Sequence, residues 1–285
     1  MCRIFGFRSV IHSQVHQSLV TADNALEQQS LDHPDGWGVS YYLAGAPHII
    51  KSAQTALNDT LFQKVSGIVS SQTVIAHVRK ATHGENTILN THPFQYGHWT
   101  FAHNGNIKNF DQHRDRVLAR ISPEFRRFIL GATDSEVFFY FLLTYLDRKV
   151  SLSDKDLPLD IVAETLRDAL EEFITITGEY SVIDNAGESE TYLTFLLTNG
   201  STMVAHQGGK HLHYSTYKSR CNDRDFCPSF SGECEAPTES GYVNHLIFSS
   251  EPLLGDNIWQ PMQLGEMVGV DGSMKLKAFH RSLNQ

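Results

Sequence analysis

Cysteine is scarce in this chain: 285 residues hold four, too few for the disulfide framework of a secreted scaffold. Basic runs are missing as well. Asp and Glu outnumber Lys and Arg by 32 to 23, the formal charge is -9, and no stripe of cations is available to track phosphates, so no nucleic-acid partner is expected. Long apolar runs are absent. The nearest, Val137 to Leu146, is about half of the roughly 18 residues that a spanning helix needs and reads as a buried helix, so no membrane partner is expected. The start of the sequence shows neither the basic n-region nor the apolar h-region of a secretory signal. The expected compartment is therefore the reducing cytoplasm, where thiols persist. Neither Gly-x-x-x-x-Gly-Lys-Ser/Thr nor Gly-x-Gly-x-x-Gly occurs, and no cofactor is expected.

What is present can build a core, since 41% of the residues are hydrophobic. Ile4 to Phe7 reads as a strand followed by a polar helix ending near Gln29. Val39 to Leu43 and His48 to Lys51 flank a hairpin turn around Ala44-Gly45-Ala46-Pro47. Asp59 to Ser70 reads as a helix, Thr73 to Arg79 and Trp99 to His103 as strands, and Asn104-Gly105 as a turn. Thr133-Asp134-Ser135-Glu136 opens a helix with acidic residues in its first turn. A second helix, Leu159 to Thr175, has core-type periodicity. Strands return at Tyr192 to Thr198, Thr202 to His206, His211 to Tyr214, Leu246 to Ser249 and near Met267 to Val270. Strands, helices and strands again predict an α+β layered fold, read as one domain over residues 2–285 with a loop excursion at 219–240 placed near the substrate entrance.

Chemistry concentrates early. Cys2 sits one peptide bond from Met1, and removing Met1 would give one residue both a thiol nucleophile and a free α-amine, which titrates near ~8 and can take a proton at neutral pH. Position alone does not separate this from a chance cysteine at a strand start. Four polar clusters follow. Asp35-Gly36-Trp37-Gly38 places tight backbone beside a bulky ring. His77-Val78-Arg79-Lys80-Ala81-Thr82-His83-Gly84 ends a strand with an Arg that can clamp a carboxylate or form a surface ion pair. His103-Asn104-Gly105-Asn106 offers a side-chain amide and a backbone N–H, the donor pair that an oxyanion needs, or a plain turn. Thr133-Asp134-Ser135-Glu136 is either a helix cap or a carboxylate for a ligand ammonium.

In order and spacing these motifs resemble the class II glutamine amidotransferases, which are N-terminal nucleophile hydrolases. The His-Pro-Asp-Gly-Trp-Gly form at His33 to Gly38 is most similar to the stand-alone branch holding YafJ-type proteins and the γ-glutamyl amidohydrolases of ergothioneine and glutathione metabolism. The segment Phe248-Ser249-Ser250-Glu251-Pro252-Leu253 with Trp259 resembles the close of the same domain. The resemblance implies a four-layer αββα sandwich. It implies Cys2 as nucleophile with its own amine as base, and Asn104 and Gly105 as the oxyanion donors. It implies Arg79 for a substrate α-carboxylate, Asp134 for the α-ammonium, and Thr82 and His83 in support of that pocket. Asp35, Gly36, Trp37 and Gly38 become the loop that supports the cysteine. The implied substrate is a small molecule, glutamine or a γ-glutamyl amide, cleaved through a thioester that water resolves to glutamate.

Two positions depart from the family pattern. His33 stands where many members have Gly, and Lys80 stands where synthase-linked members have the Trp that gates an ammonia channel. After Leu253 about thirty residues remain, too few for an acceptor domain. The expected activity is hydrolysis. The alternatives are a glutaminase subunit feeding ammonia to a separate synthase, or a non-catalytic glutamine-binding regulator. Cys221, Cys227 and Cys234, with His206, His211 and His213 nearby, lack the close-paired spacing of structural zinc sites, and no metal is expected.

Overall fold

A computed structural model describes residues 2–15, 17–183 and 189–280. Met1, whose removal the sequence reading requires, lies outside them. The first strand, β1 (Arg3–Gln14), is longer than the Ile4 to Phe7 run, because it is paired on both sides and its polar outer half still has neighbours. A π-helical turn at Gln17–Thr21 and the short α1 (Leu26–Gln29) stand where one polar helix was expected. The hairpin of β2 (Trp37–Leu43) and β3 (Ala46–Ser52) follows, and Pro47 is tolerated because β3 is a sheet edge. Then come α2 (Thr60–Ile68), β4 (Ser70–Val78), β5 (Phe94–Tyr96) and β6 (Trp99–Asn106). Next are α3 (Phe110–Leu118), α4 (Pro123–Arg126), α5 (Asp134–Asp147) and α6 (Leu159–Thr177). The last strands are β7 (Tyr192–Thr198), β8 (Met203–His206), β9 (His213–Ser215), β10 (His245–Ser249), β11 (Gln260–Pro261), β12 (Met267–Val270) and β13 (Leu276–Phe279).

Among the described residues, two antiparallel sheets run β11-β9-β10-β1-β4-β2-β3 and β13-β12-β8-β7-β6-β5. Alternation along each strand separates three apolar layers. Ile4, Ile75, Ala102, Leu196 and Phe248 fill the space between the sheets. Phe5, Trp37, Val39 and Val74 face outward from the first sheet onto Phe62 and Val65 of α2. Phe101 and Phe195 face outward from the second sheet onto Phe138, Phe141 and Phe173 of α5 and α6. Helix, sheet, sheet and helix is the αββα order that the resemblance implies.

The helix α5 is buried on nearly every face from Asp134 to Thr144, which accounts for a run of apolar residues with no polar side. Its start is half a capping box: Thr133 Oγ1 accepts from Glu136 N at 3.2 Å, but the Glu136 carboxylate turns back to Leu130 N and Gly131 N at 3.1 and 2.7 Å. That second pair fixes the loop leading into Asp134.

The Asn104-Gly105 turn is a correction. Both residues lie inside β6, with Asn104 paired to Thr194 and Gly105 to Leu193. Gly105 is there for close approach, since a Cβ would lie 2.1 Å from His103 Nε2 and 2.2 Å from Tyr192 O. The 219–240 excursion has little regular structure beyond a 3-10 turn at Gly232–Cys234. It packs against β1 from Phe7 outward, where its cysteines line a cavity with Ser9, Ile11 and Ser13.

Candidate active site

Cys2 immediately precedes β1 and is buried. Side chains two apart share a sheet face, so Cys2 follows Ile4 toward the space between the sheets. Its Sγ sits against the Lys80 backbone, accepting from Lys80 N at 3.4 Å and lying 3.5 Å from Lys80 O. Burial pushes the thiol above its ordinary range, while the Lys80 N–H and the Arg79 charge pull it down and Asp134 pushes it up. Arg79 and Asp134 thus bear on the sulfur with opposite sign.

Asn104 is buried and extends its Nδ2 to Ser250 Oγ at 3.4 Å, while its Oδ1 has no partner among the described residues. Ser250 joins two elements. Its hydroxyl accepts from Ile4 N at 3.0 Å and donates to Ile4 O at 3.4 Å, so one side chain ties the strand carrying Cys2 to the amide of Asn104. Ser250 lies in the closing segment Phe248 to Leu253, where no sequence signal marks it for a role.

Arg79 leaves the end of β4 and spends its guanidinium on the loop that follows. Nη2 donates to His83 O at 2.8 Å and Gly84 O at 3.2 Å, and Nη1 to Asn86 Oδ1 at 2.8 Å and Glu85 O at 3.5 Å. Asn86 in turn donates Nδ2 to Asp35 Oδ1 at 3.0 Å, and Asp35 Oδ2 accepts from Ala81 N at 2.8 Å. The backbones of Asp35 and Gly36 also pair with Arg79, at 3.0 and 2.8 Å. Asp35, Asn86 and Arg79 therefore form one connected frame for residues 80–86. Asn86 was missed because a lone polar residue in a loop has no sequence signature. Thr82 and His83 lie partly exposed in this loop, and it is the His83 carbonyl that contacts Arg79.

Asp134 begins α5 at the positive end of the helix. Oδ2 accepts from Ile107 N at 2.8 Å and keeps a lone pair for a further donor, while Oδ1 accepts from both Ser135 N at 2.8 Å and Ser135 Oγ at 3.3 Å. Beside it, His103 bridges Ser135 Oγ at 2.8 Å and Tyr192 O at 2.9 Å, with its pKa lowered by burial.

Trp37 is not brought to this cluster. Its ring lies on the outer face of the first sheet, 5.0 Å from the Phe62 ring, and Nε1 donates to Asp59 Oδ2 at 2.9 Å. Gly38 lies where the chain at His92 crosses, since a Cβ there would meet His92 O at 2.1 Å. His33 closes a turn onto Gln29 O at 2.6 Å and keeps the first loop anchored to α1.

Comparison with known proteins agrees with this geometry. The family model described as glutamine amidotransferases class-II matches residues 1–284. A Saccharomyces cerevisiae protein named as a probable glutamine amidotransferase, DUG3, is 28% identical over 280 residues, covering 89% of this chain and 76% of its own. A gamma-glutamyl-hercynylcysteine sulfoxide hydrolase from Mycobacterium tuberculosis is 38% identical over 80 residues, which is 28% of this chain and 34% of that one. Among solved structures, a glutamine aminotransferase class-II domain protein from Silicibacter pomeroyi superposes with a TM-score of 0.61 at 19% identity, over 98% of this chain and 99% of its own. With a match over nearly its whole length and the two-sheet sandwich in place, this chain belongs to the class II glutamine amidotransferases.

Proposed function

We propose that the protein is a stand-alone amidohydrolase of the YafJ and ergothioneine-type branch, cleaving the γ-amide of glutamine or of a small γ-glutamyl compound and releasing glutamate. The observation that carries this reading is a buried thiol seated on the Lys80 backbone next to Arg79, with Arg79 and Asp134 both near enough to bear on its titration, one charge of each sign as an amino-acid head group requires. A buried thiol with a raised pKa stays protonated at neutral pH and needs a base. After Met1 is removed, the α-amine of Cys2 is the base nearest to hand.

Sγ attacks the γ-carbonyl carbon as the amine accepts its proton. The second Nδ2 hydrogen of Asn104 and the N–H of Gly105 hold the oxyanion, each donor worth on the order of 3 kcal/mol. The amine returns the proton to the leaving nitrogen, leaving a thioester that water hydrolyses. Arg79 takes the α-carboxylate by exchanging its weakest partner, Glu85 O at 3.5 Å, so loop 80–86 adjusts as substrate enters. Asp134 accepts from the α-ammonium through the remaining lone pair of Oδ2, and Thr82 and His83 border the head group. An analogue lacking either charge leaves a buried partner unpaired.

Purified protein, with no second protein added, should release glutamate from glutamine or a γ-glutamyl amide. Turnover should vanish in Cys2→Ala. Activity that appears only with a co-purified synthase would overturn the hydrolase reading in favour of ammonia delivery.

A further inference from the structure

Away from this cluster, Cys221, Cys227 and Cys234 all line one cavity of about 170 Å³ over the distal half of β1. Its wall reaches along β1 only as far as Phe7, five residues from Cys2 and thus about 17 Å along an extended strand, so the cavity is separate from the candidate active site. The loop is held closed at its neck. Lys218 N donates to Cys234 O at 2.9 Å, and Cys221 N donates to Glu235 Oε1 at 2.7 Å. Cys221 and Cys227 are partly exposed, while Cys234 is buried and its Sγ accepts from Asn244 Nδ2 at 3.0 Å.

Two further observations mark a ligand site. His245 Nε2 and Asn257 Oδ1 are buried atoms on residues lining this cavity, and neither has a partner among the described residues. Buried polar atoms left unpaired cost free energy that an occupant recovers. Lys218 adds a cation to the lining and Asp223 a carboxylate. Among the described residues no three His, Cys, Asp or Glu are grouped to hold a metal ion, so the thiols are read through sulfur chemistry.

We propose that the cavity is a thiol-exchange site for a small zwitterionic disulfide of the cystine type. The thiolate of Cys221 or Cys227, its proton lost to solvent, attacks one sulfur of the disulfide. The S–S bond of the reagent breaks, a mixed disulfide with the protein forms, and the other half leaves as a thiolate that takes up a proton. The protein sulfur is oxidised and the departing half is reduced. The retained half turns its carboxylate to Lys218 and an N–H of His245, and its ammonium to Asp223 and Asn257 Oδ1.

The test treats the reduced full-length protein with cystine, with cystamine, which lacks the carboxylates, and with dithiodipropionate, which lacks the ammonium groups. Peptide mapping then separates Cys2 from the loop cysteines. Labelling of Cys221 or Cys227 should saturate with cystine concentration and run about tenfold faster than with either analogue, the size expected of one lost charge-assisted contact. His245→Leu and Asn257→Leu should each reduce that preference. Rates that are linear and equal for all three reagents, or labelling confined to Cys2, would overturn the proposal.

Discussion

Ser250 is the residue on which the two halves of the candidate chemistry depend, because its hydroxyl touches both Ile4, two residues from Cys2, and Asn104. Ser250→Ala should lower kcat about tenfold, the worth of one positioning hydrogen bond, with KM little changed. Steady-state kinetics on glutamine check this, and an unchanged kcat would remove Ser250 from the mechanism. A pH profile examines the base. An α-amine works as base only when deprotonated, so kcat/KM should fall as pH drops through its pKa near ~8. Cys2, Arg79 and Asp134 could be singled out from the sequence as candidates because several ordered motifs constrain one another. Ser250 and Asn86 could not, because their roles exist only across elements far apart in the chain.

At the scale of elements, Asp59 serves two of them. Its Oδ1 caps α2 through Leu61 N and Phe62 N at 2.7 and 3.2 Å, and its Oδ2 accepts from the buried Trp37 indole. Asp59→Ala should cost about 2–3 kcal/mol, one lost cap plus one orphaned donor, read as a shift in urea midpoint. Because this contact lies on the outer face of the first sheet, kcat should hold in the folded fraction. The legibility of each element follows its chemistry. The apolar run of α5 and the periodicity of α6 announced themselves, whereas α3 buries only Phe110 and Val117 and so carries little pattern. Asn104-Gly105 has the composition of a turn but is held extended by β7, so tertiary pairing outweighs local preference.

Across the whole molecule, the space between the sheets carries an acid sensitivity. The rings of His77 and His92 lie 4.2 Å apart with their planes tilted by 31°, and burial holds both pKa values well below the ordinary range. A depressed folded-state pKa means that the unfolded chain binds protons first. Stability is therefore full above the unfolded imidazole value near ~6.5 and is lost as pH falls below it, by up to about 1.4 kcal/mol per pH unit for each ring. Denaturation midpoints measured on either side of that value should fall with acid in the native protein and fall less in His77→Leu or His92→Leu. Parallel curves would show that these rings do not set the dependence.

The account rests most heavily on a cysteine that carries its own base, and 6-diazo-5-oxo-norleucine tests it directly. After glutamate release has been titrated to zero with this electrophile, the mass of the N-terminal peptide should show the label on a chain that begins at Cys2. Full activity in protein that retains Met1, or inactivation with the label on another residue, would contradict it.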